Sequence, residues 1–167
     1  MKRILMFAVI LVWAITDNVY ARQASTSVVL DNVKTLQKSS GYINSISTKA
    51  ARDFVERYPN VDNARWFVVK NGFIVRFLLD SLDTRTAYDL RGSWVYTIKV
   101  YGEAKMPRSV RHQVKGTYYD FTITQIEEID RPNEPRIYLV HMYDATHWKN
   151  VQVRDGEMKV VEEFRKG

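Results

Sequence analysis

Twice along this chain, apolar residues at helical spacing are followed by several segments typical of strands. Ala50, Phe54 and Tyr58 recur every four residues, which predicts an amphipathic helix of about three turns. Short segments rich in β-branched and aromatic residues follow this helix and predict strands. The helical spacing then returns sixty residues later, at Val110 and its two successors, and further strand-like segments follow it. This order predicts a duplicated unit.

The breaks between strand-like segments support this division. Asn71-Gly72 predicts a tight hairpin, because both residues tolerate positive φ. In the second half, the segment Asp130–Pro135 takes its place, and the offset between the halves grows there from sixty to sixty-four residues. An offset that changes only within a loop is expected of a repeat. The predicted strands are Ala64–Val69, Phe73–Asp80, Thr84–Leu90, Ser93–Tyr101, Phe121–Ile129, Arg136–Asp144, His147–Val153 and Met158–Phe164.

From these segments we predict an α+β fold made of two tandem repeats. Each repeat is one helix followed by about four antiparallel strands, and the helices pack on one face of the sheet. Repeat 1 covers about residues 46–103 and repeat 2 about residues 104–167. In the second predicted strand, Phe73, Val75 and Phe77 form the apolar face that we expect to meet the helix.

The first 21 residues have the pattern of a cleaved secretory signal. Lys2 and Arg3 precede the apolar run Ile4–Ile15, and Val19-Tyr20-Ala21 has the small residues that a signal peptidase accepts. Twelve helical residues span about 18 Å, which is short of a hydrocarbon core of roughly 30 Å. We therefore predict a periplasmic or secreted protein without a stable membrane anchor after cleavage. Residues 22–45 are expected to be a polar leader or linker.

Composition removes several classes of function. The chain has no cysteine, so disulfides and thiolate metal ligands are excluded. After removal of residues 1–21, 23 Lys and Arg stand against 18 Asp and Glu, a net charge of +5. The basic residues are dispersed among acids and form no Arg-rich run. Together with export, this pattern predicts no nucleic-acid partner.

Two of the three histidines, His141 and His147, lie near Asp144. By the offset of sixty-four, His141 falls where Phe77 does, which predicts a core or core-edge histidine with a hydrogen-bond partner, and Asp144 reads as a turn residue. Two histidines across a hairpin could hold one metal ion, but no further protein ligand is evident. We predict no catalytic, cofactor-binding or metal-binding residue, and keep a metal-dependent enzyme using these three residues as a minor alternative.

Other catalytic signatures are missing from the sequence. It contains neither a Gly-x-Ser-x-Gly elbow nor a His-Glu-x-x-His pair. Glu127 and Glu128 are adjacent, so an alternating strand would direct them to opposite faces, which makes them a poor acid–base couple. The sequence therefore predicts a protein that is not an enzyme.

Aromatic residues are more numerous than the core faces require, with ten Tyr, seven Phe and four Trp. An open sheet face with aromatic, Met and cationic side chains is typical of a surface that binds a protein or peptide. An alternative is a binder of carbohydrate or anionic envelope polymer, using Trp148, Tyr138 and the basic face of the second helix around His112. The candidate partner-binding residues are Arg76, Lys99, Tyr101, Tyr138, Met142, His147 and Trp148.

Three stretches, "GSWVYT", "MPRSVRHQVKGTYYD" and "WKNVQVRDGEM", carry a resemblance to a known family. Over residues 46–167 the chain resembles the β-lactamase-inhibitor-like, PepSY-like family of exported bacterial proteins. The resemblance implies helices packed on an antiparallel sheet, and an envelope protein that binds or inhibits another protein, such as a peptidase. The chain lacks the disulfides of the secreted β-lactamase inhibitors proper, which argues against that enzyme as its target. We thus predict a non-enzymatic exported binding protein whose open sheet face contacts a protein or peptide of the envelope.

Overall fold

The computed structural model describes residues 46–167, and the predicted signal and leader segments lie outside these residues. No helix among them is long and apolar enough to cross a membrane. Helix α1 is Thr48–Arg57, and α2, which follows a single 3-10 turn at Glu103–Lys105, is Arg108–Thr117. The strands are β1 (Arg65–Val69), β2 (Gly72–Leu79), β3 (Leu82–Asp89), β4 (Trp94–Tyr101), β5 (Thr122–Asp130), β6 (Ile137–Tyr143), β7 (His147–Arg154) and β8 (Glu157–Arg165). Each predicted strand is confirmed, with boundaries within two residues.

The eight strands form one antiparallel sheet in chain order, from β1 to β8. Strand β4 pairs with β5, from Thr97 opposite Asp130 to Tyr101 opposite Ile126. The predicted fold class, two tandem helix-and-strand repeats, is therefore wrong: a single open sheet makes up most of the fold, and the two helices have ten residues each. Separate four-stranded sheets would leave β4 and β5 as unpaired edges, and pairing satisfies their backbone groups.

The first hairpin forms as predicted, although its two turn residues come one position before the predicted Asn71-Gly72. Val69 pairs with Gly72, so Lys70 and Asn71 make the tight connection between β1 and β2. Gly72 has a φ of +152°, and a Cβ atom at this position would collide with the carbonyl oxygen of Tyr88 on β3. Only glycine allows this close approach of two backbones.

Helix α1 packs on one face of β1 to β3. Its Ala50 and Phe54 are buried against Phe73, Val75 and Phe77, which confirms the apolar face predicted for the second strand. The Phe54 ring meets the Phe77 ring edge-on, with 5.1 Å between centroids. The last helical residue is Arg57, two residues before Pro59, because the residue before proline disfavours the helical region.

Helix α2 packs on the same face of the sheet, over β5 to β7. Val110 and Val114 are buried in a cluster with Ile126, Val140 and Val151. These last three residues stand opposite one another on adjacent strands and so point to one side of the sheet. We call this side the helix face and the opposite side, which carries neither helix, the open face.

The residues of β6 lie on the faces opposite to those predicted, because the predicted alignment is wrong by one position. The offset of sixty-four placed His141 with the helix-facing Phe77, but Val140 and Met142 are the residues of this strand that are buried in the α2 cluster. Side chains alternate along a strand, so a shift of one residue reverses every side chain. His141 therefore lies on the open face and not in the core, although its predicted hydrogen-bond partner exists, as described below.

The hydroxyl of Thr97 joins α1 to the sheet at a buried point of the helix face. It lies 2.7 Å from the Tyr58 hydroxyl and 3.0 Å from the Thr86 hydroxyl. Trp94 Nε1 donates to it at 3.0 Å, and the Thr86 hydroxyl donates to the Tyr96 carbonyl oxygen at 3.1 Å. A hydroxyl has one proton and two lone pairs, so these contacts use its full capacity.

Replacement of Thr97 by Val tests this arrangement, because it keeps the shape of the side chain and removes only the hydroxyl. We expect Thr97→Val to lower the free energy of unfolding by about 2 kcal/mol, since it leaves buried polar partners unpaired. Urea denaturation followed by circular dichroism measures the change. The matched control is Thr124→Val, on the exposed part of β5, for which we expect a change below about 0.5 kcal/mol. Equal effects of the two substitutions would contradict the role assigned to Thr97.

Candidate functional site

The open face displays large apolar side chains near both ends of the sheet. The exposed fractions are 45% for Phe67 and 62% for Leu78 at one end, and 47% for Trp148 and 59% for Phe164 at the other. Register places all four on the open face. Trp148 and Phe164 stand opposite each other on β7 and β8, so they form a contiguous exposed apolar patch, which is typical of a site that contacts another molecule.

A chain of polar contacts crosses the open face from β3 to β8. Arg85 Nη2 lies 3.4 Å from Glu127 Oε2, and the other oxygen of this carboxylate lies 3.6 Å from His141 Nε2. His141 Nδ1 is 2.8 Å from Asn150 Oδ1, and Asn150 Nδ2 donates to Glu162 Oε2 at 2.6 Å. These side chains are held in position by one another, which limits the conformational entropy they would lose on binding a partner.

The contacts of Asn150 indicate which ring nitrogen of His141 donates a hydrogen bond to it. Because the amide nitrogen donates to Glu162, the amide oxygen is the atom that faces His141, and it can only accept. Nδ1 of His141 is therefore the donor in this hydrogen bond. Nε2 is buried and has no hydrogen-bond partner among residues 46–167, and it lies beside Glu127. His141 acts here as a hydrogen-bonded member of the polar chain.

Tyr143, Trp148 and Phe164 form an aromatic cluster where β6, β7 and β8 stand in register. The Tyr143 and Trp148 rings are 4.9 Å apart at an angle of 45°. Lys166 Nζ lies 4.2 Å from the Tyr143 ring centre and 4.9 Å from that of Trp148. Aromatic rings held by neighbours and by a cation provide rigid contact area.

Asp144 shapes the turn beside this cluster. Its Oδ1 accepts hydrogen bonds from the backbone nitrogens of Thr146 at 2.7 Å and His147 at 2.6 Å. These bonds hold the pKa of Asp144 below its ordinary value. The prediction that Asp144 is a turn residue is confirmed.

The two histidines do not share a site. Alternation along β7 directs His147 to the helix face at the margin of the sheet, whereas His141 lies on the open face. Among residues 46–167, no group of three or more His, Asp or Glu side chains is arranged to hold a metal ion. The alternative based on His141, His147 and Asp144 thus has no common centre in this part of the chain.

The seven candidate partner-binding residues are divided between the two faces. Arg76 and Trp148 lie on the open face. The others lie on the helix face, with Tyr101 and Met142 buried in the α2 cluster: Lys99, Tyr101, Tyr138, Met142 and His147. Two shifts explain the difference from the prediction. The register changes by one residue between Ala87 and Tyr88, which reverses the expected faces of β4. The predicted alignment of β6 was also wrong by one residue, which reverses its faces too.

Open-face residues that the sequence did not single out include Phe67, Leu78 and Phe164. Leu78 could have been predicted as an open-face residue, because it falls with Arg76 on the mixed face of β2. For Phe67 and Phe164 the strands at the two edges show no clear alternation, because both of their sides are largely exposed.

Lys99 and Tyr101 have a structural role around Glu128. The Tyr101 hydroxyl donates to Glu128 Oε2 at 2.6 Å, and Lys99 Nζ and Arg136 Nη1 lie 3.3 Å and 3.2 Å from Oε1. The buried carboxylate is thus satisfied by a phenol and two cations. Glu127 and Glu128 point to opposite faces, as the alternation along the strand predicted.

Comparisons with known proteins give the fold and no family. No family model matches the sequence. No curated protein matches it either. Similar solved structures include a BLIP-like (β-lactamase-inhibitor-protein-like) protein from Bacteroides fragilis, with a TM-score of 0.61 at 15% identity, covering 72% of this chain and 86% of that one.

Two further solved structures agree with this likeness. A DUF2874 family protein from Bacteroides uniformis has a TM-score of 0.59 at 15% identity and covers 71% of this chain and 88% of its own. A candidate periplasmic protein from Bacteroides eggerthii has a TM-score of 0.59 at 14% identity and covers 72% and 88%. The chain therefore has a BLIP-like fold, and the PepSY-like part of the resemblance stays a prediction.

Burial of two tyrosines on the helix face predicts a loss of stability in alkali. Burial raises the pKa of Tyr88, and burial together with the bond to Glu128 raises that of Tyr101. Below about pH 10 both groups are protonated in the folded and the unfolded chain. Above it, only the unfolded chain loses these protons, so stability falls by about 1.4 kcal/mol per pH unit for each tyrosine.

Urea denaturation between pH 8 and pH 11 measures this dependence. We expect Tyr88→Phe and Tyr101→Phe to make the alkaline slope shallower by about one proton each. Tyr119→Phe is the control, since Tyr119 is 81% exposed, and it should leave the slope unchanged. A slope that is insensitive to both core substitutions would contradict the assignment.

Proposed function

We propose that this protein is a non-enzymatic binding protein of the bacterial envelope, and that its open face contacts a protein or peptide. The observation that carries the proposal is the composition of this face. It combines exposed apolar side chains at both ends with a polar chain held in place between them. Exposed aromatic side chains such as Trp148 are the residue type that most often anchors a protein-binding surface, and polar groups already held in place lose little entropy on binding.

The fold and the N-terminal sequence support the location and the class of function. One similar structure is that of a BLIP-like protein, and another is that of a candidate periplasmic protein. The secretory pattern of residues 1–21 is consistent with an exported protein. Inhibition of a peptidase or another enzyme is the finer form of the proposal, in which binding at the open face would block the partner's own site.

The carbohydrate or anionic-polymer alternative has less support, because its residues do not share a surface. Trp148 lies on the open face, whereas Tyr138 and α2 with His112 lie on the helix face. The Tyr143 and Trp148 rings are inclined by 45°, so they offer no flat platform of two rings for a sugar. An extended polymer would have to pass around the edge of the sheet to reach both groups.

Site-specific photo-crosslinking in the native envelope tests the proposal. Benzoylphenylalanine is placed at Leu78 and at Phe164, near opposite ends of the open face, and as a control at Tyr119, which is exposed in the turn after α2. We expect the two open-face positions to label the same polypeptide and the control position to label none. Unmodified protein in excess should suppress the labelling.

The Trp148→Ala variant makes the test specific. As a competitor it should be weaker than the wild-type protein by roughly thirtyfold, which corresponds to about 2 kcal/mol for an aromatic anchor. Equal labelling from Tyr119, or equal competition by Trp148→Ala, would contradict the proposal. Retention of the protein on peptidoglycan that is lost in Trp148→Ala would favour the polymer alternative instead.

A further inference from the structure

Three arginines stand side by side on the open face. Arg65 of β1 is opposite Arg76 of β2, and Arg76 is opposite Arg85 of β3. Directly opposed residues of antiparallel strands point to the same side, with Cβ atoms roughly 4.5–5.5 Å apart. These residues form what we call the arginine row. Like charges in this arrangement oppose strand pairing, so the row is not explained by the stability of the sheet.

The protein supplies less negative charge than the arginine row carries, since the carboxylates beside its three cations are those of Asp83, on the same face of β3, and Glu127. Among residues 46–167, Arg85 is the one member with an ion-pair partner, Glu127 at 3.4 Å, and this carboxylate also faces His141. Arg76 lies over the Phe67 ring, with 5.8 Å between its guanidinium carbon and the ring centre. Arg85 Nε is buried and has no hydrogen-bond partner in the described chain. The row thus keeps an excess of positive charge and an unused donor.

Other charged groups on the open face are better matched. Arg154 Nη2 lies 3.4 Å from Glu134 Oε2, and Glu162 accepts a hydrogen bond from Asn150 at 2.6 Å. At β1 and β2, by contrast, Arg65 and Arg76 stand opposite each other and have no ion-pair partner among residues 46–167. A bound group that neutralises these two cations would be negatively charged.

We infer that the arginine row binds the side-chain carboxylates of an acidic peptide segment in the partner. This inference rests on the proposed function and names the chemistry of the segment that the open face takes. Guanidinium groups form paired hydrogen bonds with carboxylates, and several adjacent ones favour a segment with repeated Asp or Glu. Arg85 Nε is a donor that such a segment could satisfy after a small rearrangement of the side chain.

The neighbours of the arginine row favour a peptide over a phosphate polymer. Phe67 and Leu78 flank it on the same face and are exposed, so they suit apolar residues on either side of the acidic stretch. Asp83, opposite Leu78, would repel a continuous polyanion, whereas a peptide can place an uncharged residue beside it. An extended segment with alternating acidic and apolar residues directs its carboxylates to one side and matches this surface.

Direct binding of a defined probe tests the inference. The probe is a fluorescein-labelled octapeptide of alternating Glu and Val, and the reference peptide has Gln in place of Glu. Fluorescence anisotropy with the full chain should show tighter binding of the Glu peptide, which weakens as salt increases. In the double variant Arg65→Gln, Arg76→Gln we expect the Kd for the Glu peptide to rise about tenfold or more, because charge-assisted hydrogen bonds are lost.

The matched control is Arg52→Gln, Arg108→Gln, which removes the same charge from exposed positions of the two helices. It should leave the Kd nearly unchanged. Arg65→Lys, Arg76→Lys keeps the charge and should give an intermediate loss, because Lys lacks the planar fork. Thermal melting checks that the three double variants fold. We expect each to be at least as stable as the wild-type protein, apart from small surface effects.

The possible outcomes separate this inference from the proposed function. Equal weakening by the two Gln variants would assign the effect to net charge and overturn the arginine row. Equal affinity for the Glu and Gln peptides, with both lost in Trp148→Ala, would overturn the row but support the open face. Binding of labelled polyphosphate at least as tight as that of the Glu peptide would overturn the assignment to a peptide. Binding of neither peptide, with no crosslink specific to the open face, would overturn both.

Discussion

The pairing of β4 with β5 is the constraint on which the rest of the structure depends. It joins the strands on either side of α2 into one sheet of eight, so no strand between β1 and β8 is left as an edge. The register set there determines how the strands before α2 are aligned with the strands after it. Both helices pack on the same side, and the other side is left as one continuous surface.

The polar groups on the two sides of the sheet are paired to different extents. On the helix face, the Thr97 hydroxyl and the Glu128 carboxylate are buried and fully partnered, so they stabilise the packing of the helices and strands. On the open face, the polar chain around His141 is ordered, but the arginine row has more positive charge than its neighbours neutralise. Such a local departure from balanced interactions is expected where a surface serves binding and not stability.

Particular residues show how far the sequence predicted the fold and the site. The spacing of Ala50, Phe54 and Tyr58 predicted α1, and Asn71-Gly72 predicted the first hairpin, because both signals are contained in short stretches. The repeated order of elements was wrongly extended to two tandem units. The face of β6 was reversed by a single residue, which moved His141 from the expected core to the open face. Of the seven candidate partner-binding residues, Arg76 and Trp148 lie on the open face and the other five lie on the helix face.

By itself, the sequence determined the positions of the helices, strands and tight turns, since hydrophobic period and turn residues act over a few neighbouring residues. Only the tertiary structure decided that the strands form one sheet, and which residues of different strands share a face. The arginine row is the clearest case: Arg65, Arg76 and Arg85 are far apart in sequence and meet only through the register of three strands. Register depends on hydrogen bonds between strands and on bulges, and a shift of one residue reverses the outcome.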